Sequence, residues 1–362
     1  MSWLILDALR VREAEGRPIL TGVIGAGSFG AGVVVQLTQA PGMLAGAVAD
    51  LNLEAAIGAY CAAGYVRADI VRAERAATAV DAVRAGRPVV VPDGALLAEL
   101  PLDAVVDSTG IPEVGAELAP RCLRAGQHVV MVNVEADCVV GGALRRIADA
   151  AGVVYTLADG DQLSLICGLA DFAASLGLEV IAGGKGSSLY PPGHPRRVRA
   201  EMAHDSSLTD LTFYEGTKSQ IEMATAANVL GWGVDVRGLH HPSARVEEVA
   251  TLFGPRDRGG LFARTPVIDF VNCLTPDGNE LIEPHLGHGV FIVVTSDNAE
   301  TLKVLKAKGV PMSADARRYG RWAGPRPRRD GGRCGRTTPS SAGTRQRCSS
   351  APSGPGRRRA YL

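Results

Sequence analysis

The stretch Gly25-Ala26-Gly27-Ser28-Phe29-Gly30 decides the fold of this chain. It directly follows a short apolar strand, residues 19–24, and opens a stretch of helical periodicity that reaches Gln39. In such a unit the first glycine permits a tight turn, and the second lets backbone N–H groups reach a pyrophosphate. The third lets the helix pack closely on the strand. The helix N-terminus adds the positive end of its dipole. The six residues therefore predict a dinucleotide-binding turn, with a purely structural turn as the alternative.

An acid follows this turn at the spacing that dinucleotide sites use. Asp50 ends the next predicted strand, 20 residues beyond Gly30, where a carboxylate can accept hydrogen bonds from the ribose hydroxyls. The same carboxylate would repel a 2′-phosphate. The sequence thus favours NAD over NADP, although Arg67 or Arg72 could alter that preference.

Outward from this unit, short apolar strands alternate with helical stretches. Further strands are predicted at 89–91, 104–107, 128–133 and 153–155, and the helices between them at 53–62, 74–85, 113–125 and 142–151. This alternation is typical of right-handed parallel βαβ units. We therefore predict an α/β protein with an N-terminal Rossmann domain at 1–155, an α+β catalytic domain at 156–316 and a disordered basic tail at 317–362.

Polar residues follow the strands predicted at 104–107 and 128–133. Ligands of an open parallel sheet lie at the carboxyl ends of its strands, so these residues are expected beside the nicotinamide and its ribose. The expected contacts are Ser108, Thr109, Gly110 and Asn133. Ser108 or Thr109 could also cap the next helix. Glu135 and Asp137 are interpreted as caps of the turn that follows.

Lys185 is the main candidate for catalysis. It lies in the glycine-rich segment 183–186, interpreted as a loop after a strand at 179–182. A positioned ammonium can stabilise charge that develops on a carbonyl oxygen and can then donate the proton. A lysine on a surface loop is the alternative. Glu222, in a helix predicted at 217–230, is a second candidate; it follows Lys218 by four residues, which suits an exposed ion pair or a substrate-facing one.

Asp161 is the third catalytic candidate. Asp159-Gly160-Asp161 opens the helix predicted from Leu163, and acids at a helix start also compensate the helix dipole. They could instead hold a divalent ion, and together with Glu222 would then suit a metal-dependent reductoisomerase acting on a sugar phosphate. Two carboxylates alone define no metal site, and none is assigned. The adjacent His240 and His241 could shuttle a proton, but such pairs are more often structural.

The net charge of zero conceals a strong asymmetry. Residues 317–362 hold 13 arginines, no lysine and one acid, and so carry +12, whereas residues 1–316 hold 25 basic and 37 acidic residues and carry −12. An acidic body argues against nucleic acid as its main partner. Seven scattered cysteines without a CxxC pair suit a reducing cytoplasm, and the N-terminus resembles neither a signal peptide nor a membrane span.

Several of these stretches together resemble a known family. They are GVIGAGSFG, VVDSTGIPEVGAE, HVVMVNVEAD, the GGKG segment and IEMATAAN, and they span residues 17 to about 310. On them the chain resembles the homoserine dehydrogenase-like oxidoreductases that carry a C-terminal SAF domain, a group that includes deoxyxylulose-phosphate reductoisomerase-like enzymes. The resemblance implies NAD(P)-dependent chemistry on a small polar carbonyl or hydroxy substrate, and a dimer or larger oligomer. Homoserine dehydrogenases carry an Asn-Lys pair where Asn133 is followed here by Val134.

Two further hypotheses concern the tail and the activity. The abrupt change to Arg, Gly, Pro and Ser after about Tyr319 is what an out-of-frame reading of a GC-rich gene would give, and a basic tail that binds RNA or an acidic partner is the alternative. The sequence predicts an NAD(P)-dependent oxidoreductase. A non-catalytic NAD-sensing protein is the alternative from another functional class.

Overall fold

Seven parallel strands form the first sheet of the computed structural model, which describes residues 2–202, 208–287, 289–313 and 318–323. The strands are β1 Ile19–Ile24, β2 Met43–Ala49, β3 Val71–Arg72, β4 Val89–Val91, β5 Ala104–Asp107, β6 His128–Met131 and β7 Tyr155–Leu157. The helices of this part are α1 Ser2–Ala14, α2 Ser28–Gln39, α3 Leu53–Ala62, α4 Ala76–Arg84, α5 Pro112–Arg124 and α6 Val134–Ala151. The strand order is β3-β4-β2-β1-β5-β6-β7, and every pairing is parallel.

Helices cover both faces of this sheet, because its strands are apolar on both sides. Val23, Val48 and Val90 pack with α2 and α3 on one face. Their chain neighbours, among them Ile24 and Val89, pack with α4, α5 and α6 on the other. Successive strand side chains point to opposite faces, so each valine-rich strand contributes to both cores.

The strand order reverses between β1 and β5. Strands β2, β4 and β3 lie on one side of β1, and β5, β6 and β7 lie on the other. A crevice opens at such a point beyond the carboxyl ends of the strands, where doubly wound folds bind their ligands. The Rossmann prediction is confirmed, and the glycine turn lies at this crevice.

A second, mixed sheet follows. Its strands are β8 Glu179–Ser187, β9 Val267–Asn272, β10 Val290–Thr295 and β11 Tyr319–Ala323, in the order β11-β10-β8-β9. Only β8 and β9 pair in parallel. The helices are α7 Gln162–Ser175, α8 Pro195–Met202, α9 Leu208–Glu215, α10 Thr217–Leu230, α11 Val249–Leu252 and α12 Ala299–Ala307.

Helices α7 and α10 lie on one face of this sheet, where Ile166 and Met223 pack against Ile268 and Phe270. Phe253 and Phe262 pack on the other face with Phe291 of β10. Both sheets belong to one compact unit. No helix within the described residues is long and apolar enough to span a bilayer.

The glycine-rich segment 183–186 is not a loop, and that interpretation was wrong. It is the second half of β8, with every residue buried. A Cβ on Gly184 would lie 1.8 Å from the carbonyl oxygen of Asp269, and one on Gly186 would lie 2.2 Å from that of Gly287. These glycines are required by close packing of neighbouring backbone, which a sequence does not distinguish from a flexible turn.

Other boundaries differ as well. Helix α6 begins at Val134, eight residues before the predicted start, so Glu135 and Asp137 lie in its first turn and do not cap a separate turn. Strands β3 and β9 were not predicted, and β7 begins two residues later than expected. Strand β11 lies inside the predicted tail and pairs with β10. The rest of that tail, apart from Arg318, lies outside the described residues.

Candidate active site

The glycine turn joins β1 to α2 with little space to spare. Gly25 has φ +89°, a conformation that side chains other than glycine rarely adopt. A Cβ on Gly30 would lie 1.9 Å from the carbonyl oxygen of Gly25, whereas one on Gly27 would meet no atom within 4 Å. No side chain caps the N-terminus of α2. The turn therefore leaves open space at a helix N-terminus that no side chain caps, as a pyrophosphate requires.

Asp50 lies directly beyond the end of β2 and is tied to the turn. Its Oδ2 accepts a hydrogen bond from the Ala26 N–H at 2.6 Å, and its Oδ1 accepts one from the Asn52 N–H at 2.7 Å. These bonds fix the carboxylate beside the glycine turn. This fixed position suits an acceptor for ribose hydroxyls.

The ends of β1, β5 and β6 are joined by a polar network. The Ser108 hydroxyl donates to the carbonyl oxygens of Ile24 and Gly25, at 2.8 and 2.9 Å. The buried Asp107 carboxylate accepts from the Thr109 hydroxyl at 2.7 Å and from the Asn133 amide at 3.2 Å.

Asn133 is also the N-cap of α6, since its side-chain oxygen accepts from the Ala136 N–H at 3.1 Å. Its amide nitrogen donates to Ile111 O at 2.8 Å as well. Asn133 is therefore buried and bound on both sides of its amide. Its contact with a nicotinamide ring, like those of Ser108, Thr109 and Gly110, stays a prediction.

Lys185 and Glu222 form a buried ion pair between β8 and α10. The Lys185 ammonium contacts Oε2 of Glu222, and their side chains are 4% and 5% exposed. Burial raises the pKa of Glu222; Asp161 raises it further, whereas Lys185 and Lys218 lower it. The pair is withdrawn from water, and its carboxyl holds a proton more readily than an ordinary glutamate does.

A second ion pair lies next to the first and joins the two sheets. Lys218 of α10 contacts Glu135 of α6 at 2.7 Å, with both side chains mostly buried. The other Glu135 oxygen, Oε2, is buried and has no hydrogen-bond partner among the described residues. Lys218 and Glu222 do share one face of α10, but each pairs with another element and not with the other.

Asp161 is the N-cap of α7 and accepts from the Gln162 N–H at 2.8 Å. It is close enough to Glu222 to raise the pKa of that carboxyl. The structure thus brings Lys185 and Glu222 into contact, and the charge of Asp161 acts on Glu222 without a hydrogen bond between them. Sequence reasoning missed the pairing of Glu135 with Lys218, because no local pattern links residues 83 positions apart.

A cavity of about 630 Å³ is lined by Lys185, one member of the Lys185–Glu222 pair. Its polar and charged lining residues are Lys185, Ser187, Ser188, Tyr190, His194, Arg196, Tyr214 and Asn279, and Phe213, Leu274, Gly278 and Leu281 complete the wall. The Arg196 guanidinium donates to the Tyr190 hydroxyl at 2.7 Å. A volume of this size suits a small polar molecule.

The remaining candidates are engaged elsewhere. His240 contacts Asp269 at 2.9 Å and Asp235 at 3.3 Å, an arrangement that holds the loop beside β9. Asp159 accepts from its neighbour, the Gly160 N–H. Within the described ranges no three His, Cys, Asp or Glu side chains are grouped as a metal site requires, and the metal-dependent alternative stays a prediction.

Comparison with known proteins gives a match for the second part of the chain. Residues 160–320 match the family model of the catalytic domain of the oxidoreductase DRL. These residues contain α7, β8 and α10, and so Lys185 and Glu222. No curated protein matches the chain.

Three solved structures are similar at low identity. The WlbA dehydrogenase from Bordetella pertussis, in complex with NADH and UDP-GlcNAcA, is 19% identical over 52% of this chain and 50% of that one, with a TM-score of 0.37. The apo scyllo-inositol dehydrogenase from Lactobacillus casei is 14% identical over 60% of this chain and 56% of that one, with a TM-score of 0.38. A 3-ketoreductase from Actinomadura kijaniata, in complex with NADP, is 19% identical over 51% of this chain and 55% of that one, with a TM-score of 0.32. The chain spans about half the length of each.

The Rossmann sheet and the match over residues 160–320 define the class of protein that the chain resembles, the oxidoreductases. Within that class, the second part of the chain resembles the catalytic domain of the oxidoreductase DRL. The match covers a little less than half of this chain.

Proposed function

We propose that this protein is an NAD(P)-dependent oxidoreductase that transfers hydride to or from a small polar carbonyl or hydroxy substrate. The observation that carries the proposal is the buried Lys185–Glu222 pair beside a cavity of about 630 Å³. It lies in the segment that matches an oxidoreductase catalytic domain.

The residues at the crevice fit a dinucleotide. The open space at Gly27 and the uncapped start of α2 would take its pyrophosphate, and Asp50 its adenosine ribose. The unpartnered Glu135 oxygen offers a further buried acceptor near the nicotinamide end. When bound, the dinucleotide supplies or accepts the hydride.

Lys185 handles the charge and the proton at the substrate oxygen. A carbonyl oxygen becomes negative as its carbon is reduced, and the Lys185 ammonium stabilises that charge and donates the proton. Glu222, whose pKa burial raises, can return a proton to Lys185. In the oxidative direction the same pair accepts the hydroxyl proton. The pair is thus the acid and base of the reaction; burial raises the pKa of Glu222, and Asp161 raises it further.

The cavity supports a polar substrate. Ser187, Ser188, Tyr190 and Arg196 are among its lining residues, and polar side chains of this kind can orient a polar ligand. The homoserine dehydrogenase-like resemblance suits such a substrate, and we extend it to a homo-oligomer. The absence of the Asn-Lys pair at Val134 points to a substrate other than homoserine.

Titration of the full-length protein with NADH and NADPH, followed by fluorescence, tests the cofactor. A panel of small hydroxy-, amino- and carboxy-substituted aldehydes and ketones then tests turnover by consumption of NADH. We expect saturable NADH binding and turnover of at least one compound. A folded chain that binds neither dinucleotide would contradict the proposal. Binding without any turnover would favour the NAD-sensing alternative.

A further inference from the structure

Two acids and two arginines lie near the carboxyl end of β2, and three of these side chains are in direct contact. Asp50 follows β2, and Glu54 lies in the first turn of α3. Arg67 precedes β3, and Arg72 ends it. Each Glu54 oxygen holds one guanidinium: Oε2 pairs with Arg67 and Oε1 with Arg72. Two arginines therefore share one carboxylate.

The ion pairs change the proton affinities in the direction that pairing requires. Hydrogen bonds from Arg67 and Arg72 lower the pKa of Glu54, and the bond to Glu54 raises the pKa of Arg67. Glu54 is thus ionised at neutral pH, and the four groups together carry no net charge.

The position of this cluster indicates which part of a dinucleotide it would face. In a doubly wound sheet the adenosine ribose lies beside the acid that ends the second strand of the glycine-turn unit, which is Asp50 here. Glu54 is four residues further on, at the start of the next helix, and Arg72 ends a strand of the same edge. A 2′-phosphate on that ribose would enter between Asp50 and the two arginines.

We propose that Glu54 determines cofactor specificity, by holding Arg67 and Arg72 away from a 2′-phosphate. This inference rests on the proposed dinucleotide function. With Glu54 in place, a 2′-phosphate meets the Asp50 carboxylate and two neutralised guanidiniums, so NADH is preferred. Without it the cluster carries +1, and both guanidiniums can bind the phosphate through charge-assisted hydrogen bonds.

The test compares Glu54→Gln with wild type in the full-length protein, by fluorescence titration with NADH and NADPH at low salt, where exposed charges are least screened. We expect NADPH to bind about tenfold more tightly to the variant, the gain of one added charge-assisted hydrogen bond. The affinity for NADH should change less than about twofold, because NADH has no 2′-phosphate and exposed ion pairs contribute little. The gain should shrink as salt is added.

A matched control is Glu117→Gln. Glu117 pairs with Arg121 on α5 at 2.7 Å, with exposure similar to that of the Glu54 pairs, and its loss makes the same change in net charge. It should leave both affinities unchanged. The variant Glu54→Gln/Arg67→Gln/Arg72→Gln should lose the gain in NADPH affinity.

The outcomes separate this inference from the function on which it rests. If the wild type binds NADH but Glu54→Gln leaves the ratio of NADPH to NADH affinity unchanged, the role of Glu54 is wrong and the proposed function stands. An equal gain in Glu117→Gln would also overturn it, since the effect would then come from net charge alone. A folded wild type that binds neither dinucleotide overturns both proposals.

Discussion

The two halves of the candidate site consist of different kinds of chemical group. At the crevice of the first sheet the candidate site consists mainly of backbone groups, at the glycine turn and the start of α2, and of carboxylates such as Asp50 that are hydrogen-bonded to backbone N–H groups. Beside the second sheet, titratable side chains face each other away from water, as Lys185 and Glu222 do. The first half therefore depends on shape, and the second on protonation. Substitutions in each half should affect different measurements.

The largest expected effect is that of Lys185→Ala on turnover. Loss of a general acid costs about 10² to 10⁴ in rate, so kcat should fall about 1000-fold. The dissociation constant for NADH should not change, because Lys185 lies beside the substrate cavity and not at the glycine turn. Steady-state kinetics with a substrate from the carbonyl panel, together with NADH titration, measures both.

Lys303→Ala is the control for Lys185→Ala, since Lys303 forms an exposed ion pair with Glu300 on α12. It should retain wild-type turnover. Near-normal kcat in a folded Lys185→Ala protein would exclude the lysine from catalysis.

Gly30→Ala should produce the opposite pattern. The added Cβ would lie 1.9 Å from the carbonyl oxygen of Gly25 and 2.6 Å from the Ser108 hydroxyl, so the turn must shift. NADH affinity should fall about 100-fold, which corresponds to the few kcal/mol that a clash with backbone typically costs. Gly32→Ala, one half-turn along α2, meets no atom within 4 Å and should bind NADH as wild type does. Equal affinities in the two variants would contradict the role of the turn.

The same contrast explains what the sequence could predict. The turn, Asp50 and the carboxyl ends of β5 and β6 follow from local spacing, because strand, turn and helix are adjacent in the chain. Glu135 and Lys218 are 83 positions apart, and only packing of α6 on α10 brings them together. The one signal was the spacing of Lys218 and Glu222, which put both on one face without indicating their partners.

The errors in the second sheet have a related cause. Strand β9 is buried throughout, but Asp269 interrupts its apolar run. Besides the adjacent Phe270 N–H, its carboxylate accepts from N–H groups of the distant His240 and His241. The glycines of β8 predicted a loop because their close neighbours belong to other segments. Pairing between segments distant in the chain was thus the information that the sequence did not supply.

Glu222→Gln separates catalysis from stability. Its kcat should fall about 100-fold, since the partner of the general acid no longer exchanges a proton. Burial raises the pKa of Glu222 above its ordinary value, so the folded state binds this proton more tightly than the unfolded state does. Its contribution to stability is then complete below the ordinary carboxyl pKa and is lost as pH rises through the raised pKa.

Thermal unfolding at a series of pH values measures this contribution. Glutamine mimics the protonated carboxyl, so the variant should lack that pH dependence and melt no lower than wild type at pH 8. A variant that is much less stable at pH 8 would show that ionised Glu222 holds the fold together, contrary to the direction of its pKa shift.

The smallest effect expected is a displacement of the pH profile by the neighbours of Glu222. In the direction of alcohol oxidation the Lys185–Glu222 pair must accept a proton, so kcat/KM should rise with pH as Glu222 ionises. Asp161 raises the pKa of Glu222 and Lys218 lowers it. Asp161→Asn should therefore move this rise to lower pH, and Lys218→Met should move it to higher pH. General loosening of the site would displace both variants in the same direction, and that result would contradict Glu222 as the titrating group.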